Sequence, residues 1–212
     1  MLDVGCAHGW FVKAALARGY DADGLEPDAE IAATARRQGI PVRSGFFPDA
    51  LAPGEFFDAI VFNDVFEHLP RPAEAMQAVR ARLSAGGLTA INLPIASGAL
   101  YRIADALDQL GWHSPFDRMW QKDFPSPHVT YFTQPLLARL GASCGLSERW
   151  RGVLPSLDGS GLWARLRYDR TAGVVVSAAT WIALTVARPA VAWLPPDIGL
   201  QIFGVRDPEA IS

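Results

Sequence analysis

The first nine residues constrain the fold more than any other stretch. Met1-Leu2-Asp3-Val4 is apolar enough to end a buried strand, Gly5-Cys6-Ala7-His8-Gly9 turns sharply, and Trp10 to Arg18 reads as a helix. Strand, glycine turn and helix in immediate succession open a nucleotide-binding βα unit. Gly5 allows unusual backbone dihedrals, and Gly9 removes a Cβ where a ligand must approach. The helix then turns its positive N-terminal end toward whatever fills the gap. A central strand normally has chain before it, so an N-terminal segment upstream of Met1 is one expectation of this beginning.

Strands and helices alternate from there. Tyr20 to Glu26 is a second strand, and Pro27-Asp28 starts a helix that runs to Gln38 and stops at Gly39. Ile40 to Arg43 is a third strand. Phe57 to Asn63 is a fourth, apolar enough to be buried on both faces of a parallel sheet. Pro72 to Leu83 has helical spacing, with Ala75, Met76, Val79 and Leu83 on one face. Ser84-Ala85-Gly86-Gly87 ends it, and Leu88 to Leu93 is a fifth strand. This order predicts an α/β, doubly wound, mostly parallel sheet with right-handed crossovers, whose ligands bind at the carboxyl ends of the strands.

The pattern breaks over residues 94–133, which are rich in aromatics, proline and histidine. A helix is predicted from Gly98 to Leu110, and the rest is expected as an irregular insertion over the sheet edge, of the kind that carries function. Gln134 to Leu140 is a short helix, and Leu146 to Val153 and Leu200 to Val205 are strands. The apolar run in 172–194 is broken by Arg188 and Pro189 and is short of the roughly 20 clean residues a membrane span needs. A buried helix is the first reading of it, and peripheral contact with a membrane surface the second.

Composition narrows the partners. The 212 residues carry a net charge of −3 with no basic block, which argues against nucleic acid. Two cysteines, one in the opening turn and one near a helix end, suggest no disulfide framework and point to a reducing, cytoplasmic setting. No signal peptide is legible at the N-terminus. The four histidines and two cysteines have no metal-ligand spacing, so no metal is expected.

Two cofactors use this βα architecture. A dinucleotide fingerprint would need its third glycine where Trp10 stands. Glycine falls one residue earlier, and Asp3, Gly5, Ala7 and Gly9 together resemble motif I of class I S-adenosylmethionine (SAM) methyltransferases, written D/E-x-G-x-G-x-G. Ala7 replaces the middle glycine, which is tolerable at negative φ and awkward at positive φ. The segment FFDAIVFNDVFEHLP is similar to the region after strand four of small-molecule methyltransferases, Arg82 to Leu88 looks like their turn before strand five, and residues 194–205 resemble their last hairpin. The likeness covers most of the chain. It implies a seven-stranded Rossmann-like sheet with its last strand antiparallel, SAM as cofactor, and an aromatic-rich cap at 94–133 within a single domain, 1–212.

The same resemblance assigns roles. Asp3 would orient the methionine ammonium of SAM, Glu26 would accept hydrogen bonds from both ribose hydroxyls, and Phe46 would lie against the adenine. Asn63 and Asp64 would sit beside the sulfonium. His128, past the insertion and near Tyr131, is the candidate catalytic base; His68 is read as structural. The expected activity is methyl transfer to a small or lipid-like acceptor, oxygen slightly favoured. The alternatives are a nicotinamide-dependent oxidoreductase and a non-catalytic SAM-fold interaction domain.

Overall fold

The computed structural model describes residues 1–154 and 194–206, with positions 163, 173, 174, 177, 178, 181, 182, 185 and 186 between them. The expected peripheral membrane contact at 172–194 lies largely outside the described residues. Among those that are described, no helix is long and apolar enough to cross a membrane.

The opening strand β1 (Leu2–Val4) is buried along its whole length and is flanked on both sides by parallel partners. One is β2 (Asp23–Glu26), followed outward by β3 (Val42–Ser44); the other is β4 (Phe57–Asn63), followed by β5 (Leu83–Pro94). The last two strands, β6 (Leu146–Leu154) and β7 (Ile198–Val205), complete a seven-stranded sheet in the order β3-β2-β1-β4-β5-β7-β6. Only β7 runs against its neighbours, pairing antiparallel with both β5 and β6. The strand order reverses at β1 and β4, which makes their carboxyl ends the place where a doubly wound sheet opens a crevice.

The helices pack on both sides of the sheet. They include α1 (Trp10–Leu16), α2 (Ala29–Arg37), α3 (Pro72–Arg82), α4 (Ala99–Gln109), α5 (Ser114–Met119) and α6 (Gln134–Ser143). Local chemistry sets their starts. Asp28 caps α2, its carboxylate accepting from the Glu30 and Ile31 amides at 2.9 and 3.0 Å. Pro72 begins α3, and Thr133 caps α6 with Pro135 directly after its first residue. The predicted α3 face is the observed one: Ala75, Met76, Val79 and the adjoining Leu83 are all buried.

Two apolar clusters hold the layers together. The larger joins Phe62, Phe66, Phe132 and Phe203 to Met76, Leu137 and the central strands. The smaller joins Cys6, Val12, Ala32 and Ala35 to Ile40 and Val42 under the opening turn. Burying one such side chain contributes about 1.5–3 kcal/mol, so these clusters are the main support of the sheet edge above them.

Among the described residues, the differences from expectation lie at element ends, in a single helical turn at Phe66–His68 where a loop is expected, and in 94–133. β2 is shorter than Tyr20–Glu26, β5 starts earlier than Leu88, and α6 extends to Ser143. The stretch after α4 is not wholly irregular, because Ser114 and Pro115 start the short helix α5. Backbone bonds tie the end of 94–133 back to the sheet: the Ala96 amide donates to Phe132, and the Val129 and Thr130 amides both donate to the Glu67 carbonyl.

Candidate active site

The turn after β1 is built as the sequence demands at two positions. Gly5 and Gly9 have φ of +68° and +72°. A Cβ on Gly5 would stand 2.6 Å from Val65 Cγ2, and one on Gly9 would stand 2.8 Å from Ile40 Cγ2. Both therefore need glycine for conformation and for space. Ala7 is the departure. It takes φ +46°, the left-handed region that L side chains avoid. Ala7 is exposed and Trp10 is 68% exposed, so neither is packed into the protein beside the turn.

Glu26, at the end of β2, holds this turn. Its Oε2 accepts from the Ala7 amide at 2.8 Å and its Oε1 from the Asp28 amide at 3.0 Å. Each oxygen keeps acceptor capacity beyond one bond, which suits a carboxylate that receives ligand hydroxyls as well. Cys6 is buried in the same turn. Burial first, then the charges of Asp3 and Glu26, push its thiol up to about 12, so it is not a nucleophile at neutral pH.

A polar ladder crosses the carboxyl ends of β1, β4 and β5. Asn63 Nδ2 donates to Asp3 Oδ1 at 3.0 Å, Asn92 Nδ2 donates to Asn63 Oδ1 at 3.1 Å, and the Asp64 amide donates to Asn92 Oδ1 at 2.9 Å. Asp3 is 3% exposed, and burial outweighs the Asn63 hydrogen bond to raise its pKa to about 7. A buried acid in that condition is set to receive a cation. Asp64 is exposed, at φ +52°. Phe46 is 68% exposed, which fits a surface for a flat ring better than a core position.

A second cluster lies past β4. Glu67 and His68 belong to a single helical turn, Phe66–His68, and residues 126–131 fold over it. His128 and His68 rings meet edge to face at 4.7 Å, and His128 Nε2 is 3.9 Å from Glu67 Oε1. Glu67 is 1% exposed, and burial holds its carboxyl up at about 8. Burial, then the neighbouring His68, lower His128 to about 4. Tyr131 donates its hydroxyl proton to the Met119 carbonyl at 2.8 Å and meets His128 Nδ1 at 3.0 Å. Its ring packs against Tyr101 and Trp120, and Phe116 packs against both of these.

The structure thus brings Asp3, Gly5, Ala7, Gly9, Glu26, Asn63 and Asp64 to one sheet edge, with His128 in the adjoining cluster. Asn92, Glu67 and Tyr131 complete these groups without having been marked as site residues. Alternation along β5 hints at Asn92, but nothing local in the sequence joins Glu67 to a histidine some sixty positions on. Two concavities lie elsewhere. One, of about 740 Å³, is at the amino end of β5 between Arg80, Gly86 and Arg206; the other, of about 770 Å³, is beside Phe11 and Tyr20. Neither touches the ladder, and ligands of this sheet type bind at its opposite edge.

A family model for a methyltransferase domain matches residues 1–147. The chain belongs to the class I SAM-dependent methyltransferases. A curated relative, the ubiquinone biosynthesis O-methyltransferase of Methylobacterium sp. (strain 4-46), is 31% identical over 155 residues, which are 69% of this chain and 59% of that protein. The chain thus spans less than two thirds of that relative's length. Among solved structures, the cyclopropane synthase MmaA2 from Mycobacterium tuberculosis superposes with TM-score 0.65 at 20% identity, over 95% of this chain and 76% of that one. A SAM-dependent methyltransferase from Mesorhizobium loti gives 0.64 at 15%, over 95% and 88%. The mycolic acid cyclopropane synthase CmaA1, complexed with SAH, gives 0.62 at 18%, over 95% and 75%.

The nicotinamide alternative is set aside by this membership. The cofactor of the methyltransferase is SAM, and the residues present fit it: two glycines with no room for a Cβ in the turn after β1, a carboxylate fixed at the end of β2, and a buried acid whose burial a cation would offset. When bound, SAM supplies a methyl group on a sulfonium sulfur, an electrophile that needs alignment more than acid–base help.

Proposed function

We propose that the methyltransferase transfers its methyl group to a small or lipid-like acceptor, at oxygen in preference to nitrogen or carbon. In this reading Glu26 holds the ribose, Asp3 the ammonium, and the exposed ring of Phe46 lies against the adenine. Asn63 and Asp64 keep the rim polar beside the sulfonium. Residues 94–133 act as the acceptor's cap.

The observation that carries the reading is the composition of that cap. Tyr101, Phe116, Trp120 and Tyr131 form a continuous aromatic wall. Two buried polar atoms in and beside it, Trp120 Nε1 and Glu67 Oε2, have no hydrogen-bond partner. An apolar wall with a few convergent polar groups suits a flat or chain-like molecule carrying a hydroxyl. The name of the curated relative, an O-methyltransferase, supports the choice of oxygen. His128, neutral across the physiological range, is assigned to the acceptor's side; its low basicity makes it a weak base when acting alone.

The test is transfer of labelled methyl from SAM to a panel of phenols with and without an apolar tail, beside matched amines. Labelled ether from the phenols, faster with the tail, is expected. Label appearing on the amines alone refutes the oxygen assignment.

A further inference from the structure

We propose that Glu67, His68 and His128 form a binding site for one divalent transition-metal ion, of which zinc is the best match. One donor atom from each residue lies within 4.8 Å of the others. Imidazole nitrogen and carboxylate oxygen are the donors zinc takes, and three protein ligands with a fourth position open is its usual catalytic arrangement.

Hydrogen bonds fix which nitrogen each histidine offers. His68 Nδ1 faces the Pro127 carbonyl at 2.9 Å, and a carbonyl only accepts, so Nδ1 carries the proton. His128 Nδ1 faces the Tyr131 hydroxyl at 3.0 Å, whose own proton is given to the Met119 carbonyl. It too must donate. Both histidines are therefore left with the lone pair on Nε2. A metal-binding histidine is held in this way, its other nitrogen donating to a carbonyl or similar acceptor.

Glu67 supplies an independent sign. It is 1% exposed, its Oε1 stands 3.9 Å from His128 Nε2, and its Oε2 is buried with no hydrogen-bond partner. A buried carboxylate oxygen without a partner is destabilising, and a coordinated cation removes that cost. Ligands on a tetrahedral zinc with bonds of about 2.0–2.1 Å lie roughly 3.4 Å apart, so the 3.9 Å gap, and the other separations within 4.8 Å, must close by side-chain movement when the ion binds. The backbone is already fixed, because the Glu67 carbonyl accepts from both Val129 and Thr130.

The site also refines the acceptor chemistry, and in this respect alone it rests on the oxygen reading above. An acceptor hydroxyl in the fourth position would lose its proton to bulk water more readily, as metal-bound water does. His128 cannot then be the base, since its one lone pair holds the metal.

The experiment is calorimetric titration of the chelator-treated chain with zinc chloride alone, without SAM or acceptor. One ion per chain is expected, with affinity falling at least tenfold in His68→Ala and in His128→Ala. His113→Ala, at an exposed histidine outside the cluster, should bind as the parent does. Cobalt(II) added to the unaltered chain should show the intense visible absorption of a tetrahedral site, a result that does not depend on any variant folding. No binding by the unaltered chain, an octahedral cobalt spectrum, or parent-like affinity in both cluster variants overturns the site. S-adenosylhomocysteine binding, measured in parallel, reports separately on the methyltransferase reading.

Discussion

Ala7 is the residue where local rule and observed backbone disagree. A left-handed φ costs an L residue about 1–2 kcal/mol, and glycine in its place would lose more chain entropy on folding, about 0.4–1 kcal/mol. At φ +46° the first effect is the larger. Ala7→Gly should therefore stabilise the protein by about 0.5–1 kcal/mol, read as a higher urea midpoint at unchanged slope; a lower midpoint would mean the methyl makes a contact worth more than the strain. The identity of the residue was legible in the sequence, but the sign of its φ was not. It is set by Glu26, whose Oε2 draws the Ala7 amide in from a strand away at 2.8 Å. Asp3, Gly5, Gly9 and Glu26 were legible for the opposite reason: each is fixed by contiguous strand-turn-helix chemistry. Asn92 and Glu67 were not, because their partners are brought in from other elements by the sheet.

At the scale of elements, β4 was read with its observed ends, since an apolar run between polar turns leaves little choice. α5 was missed because proline and aromatics hide a six-residue helix, too short to display a period. The packing of α6 on the antiparallel strand was also out of reach. Gly141 in α6 lies against Phe203 of β7, and a Cβ there would stand 2.9 Å from two atoms of a ring that is 0% exposed. Two effects compete in Gly141→Ala. Helix propensity favours alanine by about 1 kcal/mol. Forcing a methyl into a closed contact costs typically 1–3 kcal/mol. The ring is fully buried against the core, so a net loss of about 1 kcal/mol is expected in chemical denaturation. A stabilised variant would show that α6 can lift from β7 without loss.

Over the whole molecule, the site edge is held by groups whose ionisation folding disfavours. The Asp3 carboxyl, buried among β1 and its neighbours, titrates near 7 in place of 3.8. An acid with a raised folded pKa keeps a proton that the unfolded chain releases. Stability is therefore fully present below about pH 4 and falls as pH rises toward 7, by up to about 1.4 kcal/mol per unit. Glu67 acts in the same direction up to about pH 8, whereas His128, neutral in the fold down to about 4, loses stability as pH falls below its ordinary 6.5. Those two titrate alike in the parent and in Asp3→Asn, so the difference between the proteins isolates Asp3. The variant keeps an acceptor oxygen for Asn63 Nδ2 and has nothing to ionise. It should be more stable than the parent by about 1–3 kcal/mol at pH 8, with the gap closing toward pH 4. A cationic ammonium beside Asp3 would restore the parent's ionised form, so S-adenosylhomocysteine should stabilise the parent increasingly with pH and the variant hardly at all. Urea melts at several pH values, with and without that ligand, measure both. Parallel curves for the two proteins would mean that Asp3 is ionised at no cost and that the cofactor's cation is held elsewhere.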